Sequence, residues 1–162
     1  ARFENQNQTI KLEKVSLNGI FLDTIARYST VIQSKKIVVL TDFSRDYYLE
    51  TDSYLFSIIV NNLVSNALKY SNLNDTLSVE IIENGGKIEC HIIDSGMGIR
   101  KEDLEKIFNS FYRSNSTDHP EIKGTGLGLS IVKRLCSLLS ITIEILSQEG
   151  IGTKVILSLR EA

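Results

Sequence analysis

The stretch Asn61-Asn62-Leu63-Val64-Ser65-Asn66-Ala67-Leu68-Lys69-Tyr70-Ser71 decides how the rest of the chain reads. It continues a run at 54–60 that has the pattern of a buried helix. At 100° per residue Leu55, Ile58 and Ile59 share a face, and that face goes on through Asn62, Asn66, Lys69 and Tyr70. An apolar stripe turns into amides and an amine. A second face, carrying Phe56, Val60, Leu63, Val64 and Ala67, stays apolar, so the helix remains anchored to a core where the first face becomes polar. Buried amides need partners, and a bound ligand or ion is one way to supply them. A solvated helix end is the other, and the stretch alone leaves both open.

Outward from this helix the chain alternates helices with one-sided strands. Before it, residues 1–9 are polar and read as a linker or the tail of a preceding element, and 10–15 reads as an edge strand. Ser16 can cap a helix whose stripe runs Ile20, Phe21, Thr24, Ile25, Tyr28, Val31 and Ile32. Strands at 36–41 and 47–50 then lead to Thr51 or Asp52 as cap of the central helix. After a turn at 72–75 come two alternating strands joined at Asn84-Gly85-Gly86. Leu77, Val79 and Ile81 share a face in the first, and Ile88, Cys90 and Ile92 in the second. Asp94 has the parity of the latter three, so a regular strand brings its carboxylate out on the core side of the sheet, under the helix layer. A turn aspartate before glycine is the plainer alternative.

Beyond Asp94 lie a short helix at 101–108 and a polar loop at 109–123, then an amphipathic helix with Ile131, Val132, Leu135, Leu138 and Leu139 inward. Two last strands carry Ile141, Ile143 and Ile145, then Val155, Leu157 and Leu159, on one face. Strands apolar on one side only imply an α/β (α+β) two-layer sandwich, a mixed and largely antiparallel sheet with helices on one face and water on the other. A doubly wound parallel sheet would need continuous apolar strands, which are scarce.

Composition excludes several functions. The 162 residues suit one domain with a real core. With 18 basic and 20 acidic side chains the net charge is −2, which makes no electrostatic case for nucleic acid or an anionic membrane as partner. Cys90 and Cys136 form no C-x-x-C, and His91 and His119 make no metal-ligand spacing with them. A reducing, cytosol-like compartment is the default, and no apolar run is long enough to span a membrane. The chain starts at Ala1 rather than Met, which suggests a piece of a longer protein.

Two glycine pairs flank the polar loop: Asp94-Ser95-Gly96-Met97-Gly98-Ile99 before it and Gly124-Thr125-Gly126-Leu127-Gly128-Leu129 after it. Neither matches a Walker loop or a dinucleotide fingerprint. The second opens a helix, whose free N–H groups and dipole favour phosphate, although glycines before a helix are often only a tight turn. In order and spacing, Asn62 with Asn66, the first glycine box, Phe108 and Phe111 in Ile107-Phe108-Asn109-Ser110-Phe111-Tyr112-Arg113, and the second glycine box resemble the motif boxes of sensor histidine kinases. The resemblance covers nearly the whole chain, from about residue 10 to 159, and implies the ATP-binding catalytic domain of the GHKL superfamily, shared with gyrase B subunits, MutL and a heat-shock chaperone. Residues 10–162 would form that single domain, with its lid at about 109–123.

The resemblance also implies roles. Asn66 would hold Mg²⁺ through its side-chain oxygen, a hard ligand for a hard ion. Asn62 would sit beside the metal and phosphates, and Lys69 and Tyr70 would line the phosphate end. Asp94 would accept a hydrogen bond from the adenine amino group, where guanine presents a carbonyl instead. Gly96, Gly98 and Ile99 would adjoin the base, and Lys123, Gly124, Thr125, Gly126, Leu127, Gly128 and Leu129 the phosphates. Phe108 and Phe111 would anchor the lid ends, Arg113 is a candidate for the γ-phosphate, and Thr153 would lie near the adenine. Asn62, Lys69 and Arg113 are the catalytic candidates.

The implied activity is transfer of the γ-phosphate of Mg-ATP to a histidine on a dimerisation hairpin that precedes this domain in the family, within two-component signalling. His91, on the expected solvent side of its strand, and His119, before Pro120, are poor phosphoacceptors, so the isolated domain is not expected to autophosphorylate. A response regulator downstream, a homodimeric parent and a cytoplasmic location without direct membrane contact follow from the same resemblance. Three rivals remain. A gyrase- or MutL-type ATPase carries a glutamate general base where this chain has Asn62, and an amide cannot take a proton from water. A GHKL protein serine kinase shares the fold but phosphorylates a hydroxyl. Against a nucleotide-binding module with no catalysis, a degenerate sensor, stand the intact Asn66, Asp94 and both glycine boxes.

Overall fold

The computed structural model describes residues 9–107 and 127–160. In chain order the elements are β1 (Glu13–Ser16), α1 (Leu17–Arg27), α2 (Ser29–Ser34), β2 (Val38–Phe43), β3 (Tyr48–Thr51), α3 (Ser53–Lys69), β4 (Thr76–Asn84), β5 (Lys87–Asp94), α4 (Lys101–Leu104), α5 (Leu127–Leu138), β6 (Thr142–Gln148) and β7 (Gly152–Arg160). Five strands form one sheet in the order β2-β4-β5-β7-β6. The β2–β4 pair is parallel and the other three are antiparallel, so the sheet is mixed and largely antiparallel. One face carries Leu77, Val79, Ile81, Ile88, Cys90, Ile92, Val155, Leu157 and Leu159, all buried. The helices cover that face, with α3 packed on β5, α5 on β6, and the two helices on each other.

The central helix forms where the sequence places it. Asp52 is its cap, accepting from the Leu55 N–H at 3.0 Å, while its other oxygen accepts from the Lys11 N–H at 2.9 Å. Seven apolar side chains from Leu55 to Leu68, among them Phe56, Val60 and Val64, are at most 2% exposed, each worth about 1.5–3 kcal/mol of burial. This is the anchored face. The hairpin between β4 and β5 turns on Gly85 and Gly86, both at positive φ, as a two-residue turn of the primed type requires.

Several expectations need correction. The N-terminal strand starts at Glu13 and pairs antiparallel with β3 in a separate two-stranded sheet, so it is no edge of the main one. The helix capped by Ser16 breaks at Tyr28, whose ring hydroxyl is drawn to Asn61 Oδ1 at 2.9 Å. The strand expected from residue 36 starts at Val38, because Lys36 takes φ +53° and the Ile37 N–H bonds back to Ile32. Leu138 is 43% exposed, and the inward face of α5 takes Cys136 in its place.

His91 is the largest departure. It lies on the helix-free face, as its parity requires, yet it is 7% exposed, with Glu80 and Ile156 as cross-strand neighbours and Nε2 2.9 Å from Glu89 Oε1. A position in the middle strands of a five-stranded sheet buries even an outward side chain. Among the described residues, no helix is long and apolar enough to cross a membrane.

Candidate functional site

Asn62 and Asn66 are one turn apart on α3, both half-buried, on the side of the helix that meets the start of α5. The Asn62 amide nitrogen donates to its own helix at Ile58 O, 2.8 Å away, so its oxygen is the end left to face outward. That oxygen is 3.2 Å from where a Cβ on Gly128 would stand, and the Asn66 amide nitrogen is 3.9 Å from the same point. The glycine therefore lets the N-terminus of α5 approach two side-chain amides that a larger residue would crowd. Asn61, next in sequence, is turned away and engaged by Tyr28 and, at 3.3 Å, by Arg27. Among the described residues no three His, Cys, Asp or Glu side chains assemble into a metal site. The hard amide oxygens of Asn62 and Asn66 suit a cation that keeps several waters and takes further oxygens from phosphates, as Mg²⁺ does.

The C-terminus of α3 meets a second part of the site through its backbone. Lys69 is the last helical residue and Tyr70 the cap. The Tyr70 carbonyl accepts from the Met97 N–H at 3.2 Å, and a Cβ on Gly96 would stand 2.4 Å from that oxygen. The first glycine box is thus seated directly on the helix end. At its start Asp94, the last residue of β5, is 8% exposed and accepts from the backbone N–H groups of Gly96, at 2.9 Å, and Thr153. Burial pushes its carboxyl up to about 6 against the pull of those two donors, and the charge of Asp75 adds to the rise. At neutral pH it is an ionised acceptor held at the sheet end, with lone pairs beyond those two bonds.

The β6–β7 turn closes this corner. Ser147 Oγ accepts from the Ile99 N–H at 2.8 Å and lies 2.7 Å from the Thr153 hydroxyl and 3.0 Å from Gly152 O. The Gly150 N–H donates to Met97 O at 2.7 Å. Gly152 has φ +147°, a conformation essentially reserved for glycine, and a Cβ there would stand 2.1 Å from Asp94 O. Ser147 and Gly152 were not among the sequence candidates. Gly150-x-Gly152-Thr153 reads as a turn, and only the pairing of β5 with β7 brings it against Asp94.

The structure thus brings Asn62, Asn66 and Gly128 together in one place, and Tyr70, Asp94, Gly96, Gly98, Ile99 and Thr153 in another, joined by α3 and its last residue Lys69. Leu129 is half-buried and packs on the core. Phe108, Phe111, Arg113, Lys123, Gly124, Thr125, Gly126, His119 and the expected lid lie outside the described residues, as does the side chain of Leu127.

Comparison with known proteins gives the family and the fold. Residues 51–162 match the family described as histidine kinase-, DNA gyrase B-, and HSP90-like ATPase. The chain is 32% identical over 161 residues to the sensor-like histidine kinase SenX3 of Mycolicibacterium smegmatis, covering 99% of this chain and 42% of that protein. To the sensor protein kinase GraS of Staphylococcus aureus it is 33% identical over 155 residues, covering 95% and 44%. It spans less than half the length of these relatives. Among solved structures, the catalytic domain of histidine kinase ThkA superposes with a TM-score of 0.79 at 24% identity, covering 93% of this chain and 96% of that one. The structure of ThkA in complex with the response regulator TrrA gives 0.79 at 20%, covering 97% and 44%. The chain belongs to the histidine kinase-, DNA gyrase B- and HSP90-like ATPase family, and the relatives it matches over nearly its whole length are sensor histidine kinases.

Proposed function

We propose that this domain binds Mg-ATP between α3, the Asp94 corner and the start of α5, and donates the γ-phosphate to a histidine on a dimerisation hairpin of the same parent protein. The observation that carries this reading is the convergence of the Asn62 and Asn66 amides on Gly128, where a polar helix face meets a helix N-terminus. Asn66 would hold the metal through its side-chain oxygen, and Asn62, its nitrogen tied to Ile58 O, sets its oxygen beside Gly128 near the Asn66 amide. The chemistry that Mg²⁺ would supply there is neutralisation of phosphate charge. Lys69 adds a positive charge at the helix end, and Arg113 is a further candidate for the γ-phosphate.

At the other end Asp94 accepts the adenine amino group, Gly96 lets the base approach the backbone, and Thr153 lies beside both. Guanine would set a carbonyl against this carboxylate, an acceptor facing an acceptor. The phosphoacceptor is on another segment. His91, buried against Glu89, cannot present a nitrogen to a phosphate. Phosphoryl transfer needs mainly positioning and charge neutralisation, which this division of labour supplies. Asn62 stands where gyrase-type relatives carry a glutamate base, which favours transfer to a protein over hydrolysis. The domain acts in the cytoplasm as part of a homodimeric parent, and a response regulator receives the phosphate from the hairpin.

The test mixes this chain with the parent's hairpin region, Mg²⁺ and γ-labelled ATP. Acid-labile label on the hairpin is the expected outcome. Label accumulating on this chain alone, or its absence from the hairpin, overturns the reading.

A further inference from the structure

The C-terminal end of α3 is held by a residue that belongs to none of the motifs. Lys35 caps α2 and is half-buried, and its ammonium lies 2.7 Å from Leu68 O, 3.2 Å from Lys69 O and 2.9 Å from Ser71 O. The last turn of a helix leaves carbonyls without intrahelical donors, and the dipole makes that end attractive to a cation. A lysine ammonium has three N–H donors, and here they meet three carbonyls. The backbone carbonyl missing from the run 68–71 is that of Tyr70. It accepts instead from the Met97 N–H at 3.2 Å and is the surface on which Gly96 rests.

Lys35 is itself fixed from both sides. Its carbonyl accepts from the Asn74 N–H at 2.8 Å, and the Val38 N–H bonds to Asp75 O at 2.9 Å, tying the start of β2 to the turn after α3. The Ser71 hydroxyl donates to Ala67 O at 2.6 Å, so the helix end is closed on its inner side as well. Four consecutive carbonyls are thereby sorted, with 68, 69 and 71 toward the ammonium and 70 toward the first glycine box.

We propose that Lys35 is a positioning residue for the nucleotide site, acting through the Tyr70 carbonyl on Met97, Gly96 and hence the Asp94 carboxylate. This rests on the Mg-ATP reading above. Without the ammonium, the Lys69 and Ser71 carbonyls turn to water, Leu68 O keeps only its bonds from the Tyr70 and Ser71 N–H groups, and the Tyr70 carbonyl is held less firmly. The base then meets a glycine box that must be ordered on binding, so affinity falls while the transfer step, built around Asn66, does not change.

The experiment compares the domain with its Lys35→Met and Lys35→Arg variants, the first keeping the apolar stem and the second restoring a cation. Hydrogen exchange at the Met97 amide, measured without nucleotide, should speed up in Lys35→Met and return toward the original rate in Lys35→Arg. The Kd for both Mg-ATP and Mg-ADP should rise ~10-fold in Lys35→Met, the scale of a lost charged hydrogen bond. KM for ATP in transfer to the hairpin should rise alike, with kcat unchanged.

Ile88→Val, a core change at the far end of β5, serves as a stability control and should leave both the Met97 amide and the Kd unmoved. Should Lys35→Met fail to fold, Lys35→Gln, which retains a donor, carries the same comparison. An unchanged Met97 amide overturns the inference whatever the ligand. A faster Met97 amide with unchanged Kd reduces Lys35 to a helix staple. A wild-type domain that binds no adenine nucleotide overturns the reading beneath it.

Discussion

Two stretches of α3 use opposite means. Midway along the helix, Asn62 and Asn66 offer half-buried side-chain amides toward Gly128. At the C-terminus most contacts run through main chain, at Tyr70 O, Met97 N, Gly96 N, Thr153 N and Gly150 N around one buried carboxylate, and the side chains of Lys35 and Ser147 bond to backbone there as well. The first region is a set of side chains mounted on a helix that the core already holds. The second is part of the fold. Substitution in the first should change chemistry without changing stability, whereas in the second the two should move together.

The strongest way to break that contrast is Asn66→Ala. Losing one preorganised polar group at a reacting centre costs ~100-fold or more, so transfer to the hairpin should fall by at least that much. The thermal midpoint should shift by no more than a few degrees, since the half-buried amide is not part of the apolar face. Retained transfer would remove Asn66 from the metal site, and a collapsed midpoint would mean that the amide stretch is as structural as the other.

Asp94→Asn tests the corner. Replacing one carboxylate oxygen by a donor sets it against the N–H groups of Gly96 and Thr153 and against the adenine amino group. ATP affinity should drop ~10–100-fold, the cost of a buried mismatch, and the preference for ATP over GTP should largely vanish by calorimetry. An undiminished preference would mean that the base is read elsewhere. Gly152→Ala should act on both properties. With φ +147° and a Cβ directed at Asp94 O, it should destabilise the domain by at least about 2 kcal/mol in denaturant unfolding and weaken ATP binding as well. A variant that loses stability yet binds ATP normally would uncouple what the backbone corner joins.

These two regions were unequally legible in the sequence. Asn62, Asn66 and the apolar face of α3 could be read because helical periodicity is local, and Asp94 because strand parity carries a carboxylate to a definite face. The mixed sheet with its one helical layer followed from one-sided strands for the same reason. Ser147, Gly152 and Lys35 were hidden, since each acts through a partner 48, 58 or 33 positions away, set by β5–β7 pairing or by α2 packing near the end of α3. His91 misled because parity states which face a side chain takes and not how wide the surrounding sheet is. A helix or strand announces its own pattern, whereas a backbone corner is visible only after the elements have met.

The pH dependence of Asp94 gives the smallest effect and the sharpest sign. Its carboxyl titrates near 6 in the folded chain against an ordinary 3.8, chiefly because burial disfavours the charge. The folded state therefore binds this proton more tightly than the unfolded one. The resulting stabilisation is complete below about pH 3.8 and is lost as pH rises through 6, amounting to about 3 kcal/mol at most. Under the proposed adenine contact the amino group needs the ionised form, so affinity should run the other way and fall ~10-fold between pH 7 and 5. Glu89, held below its ordinary range by its hydrogen bond to His91, loses its contribution only at still lower pH and does not blur this window. From pH 7 to 5, then, this one residue should make the domain more stable and, under the proposed contact, a poorer ATP binder. Asp94→Asn should flatten both trends at once, and dividing the wild-type profile by that of the variant cancels the titration of ATP itself. If the two wild-type trends instead run in the same direction, the proton is not on Asp94, and the corner owes its pH response to another group.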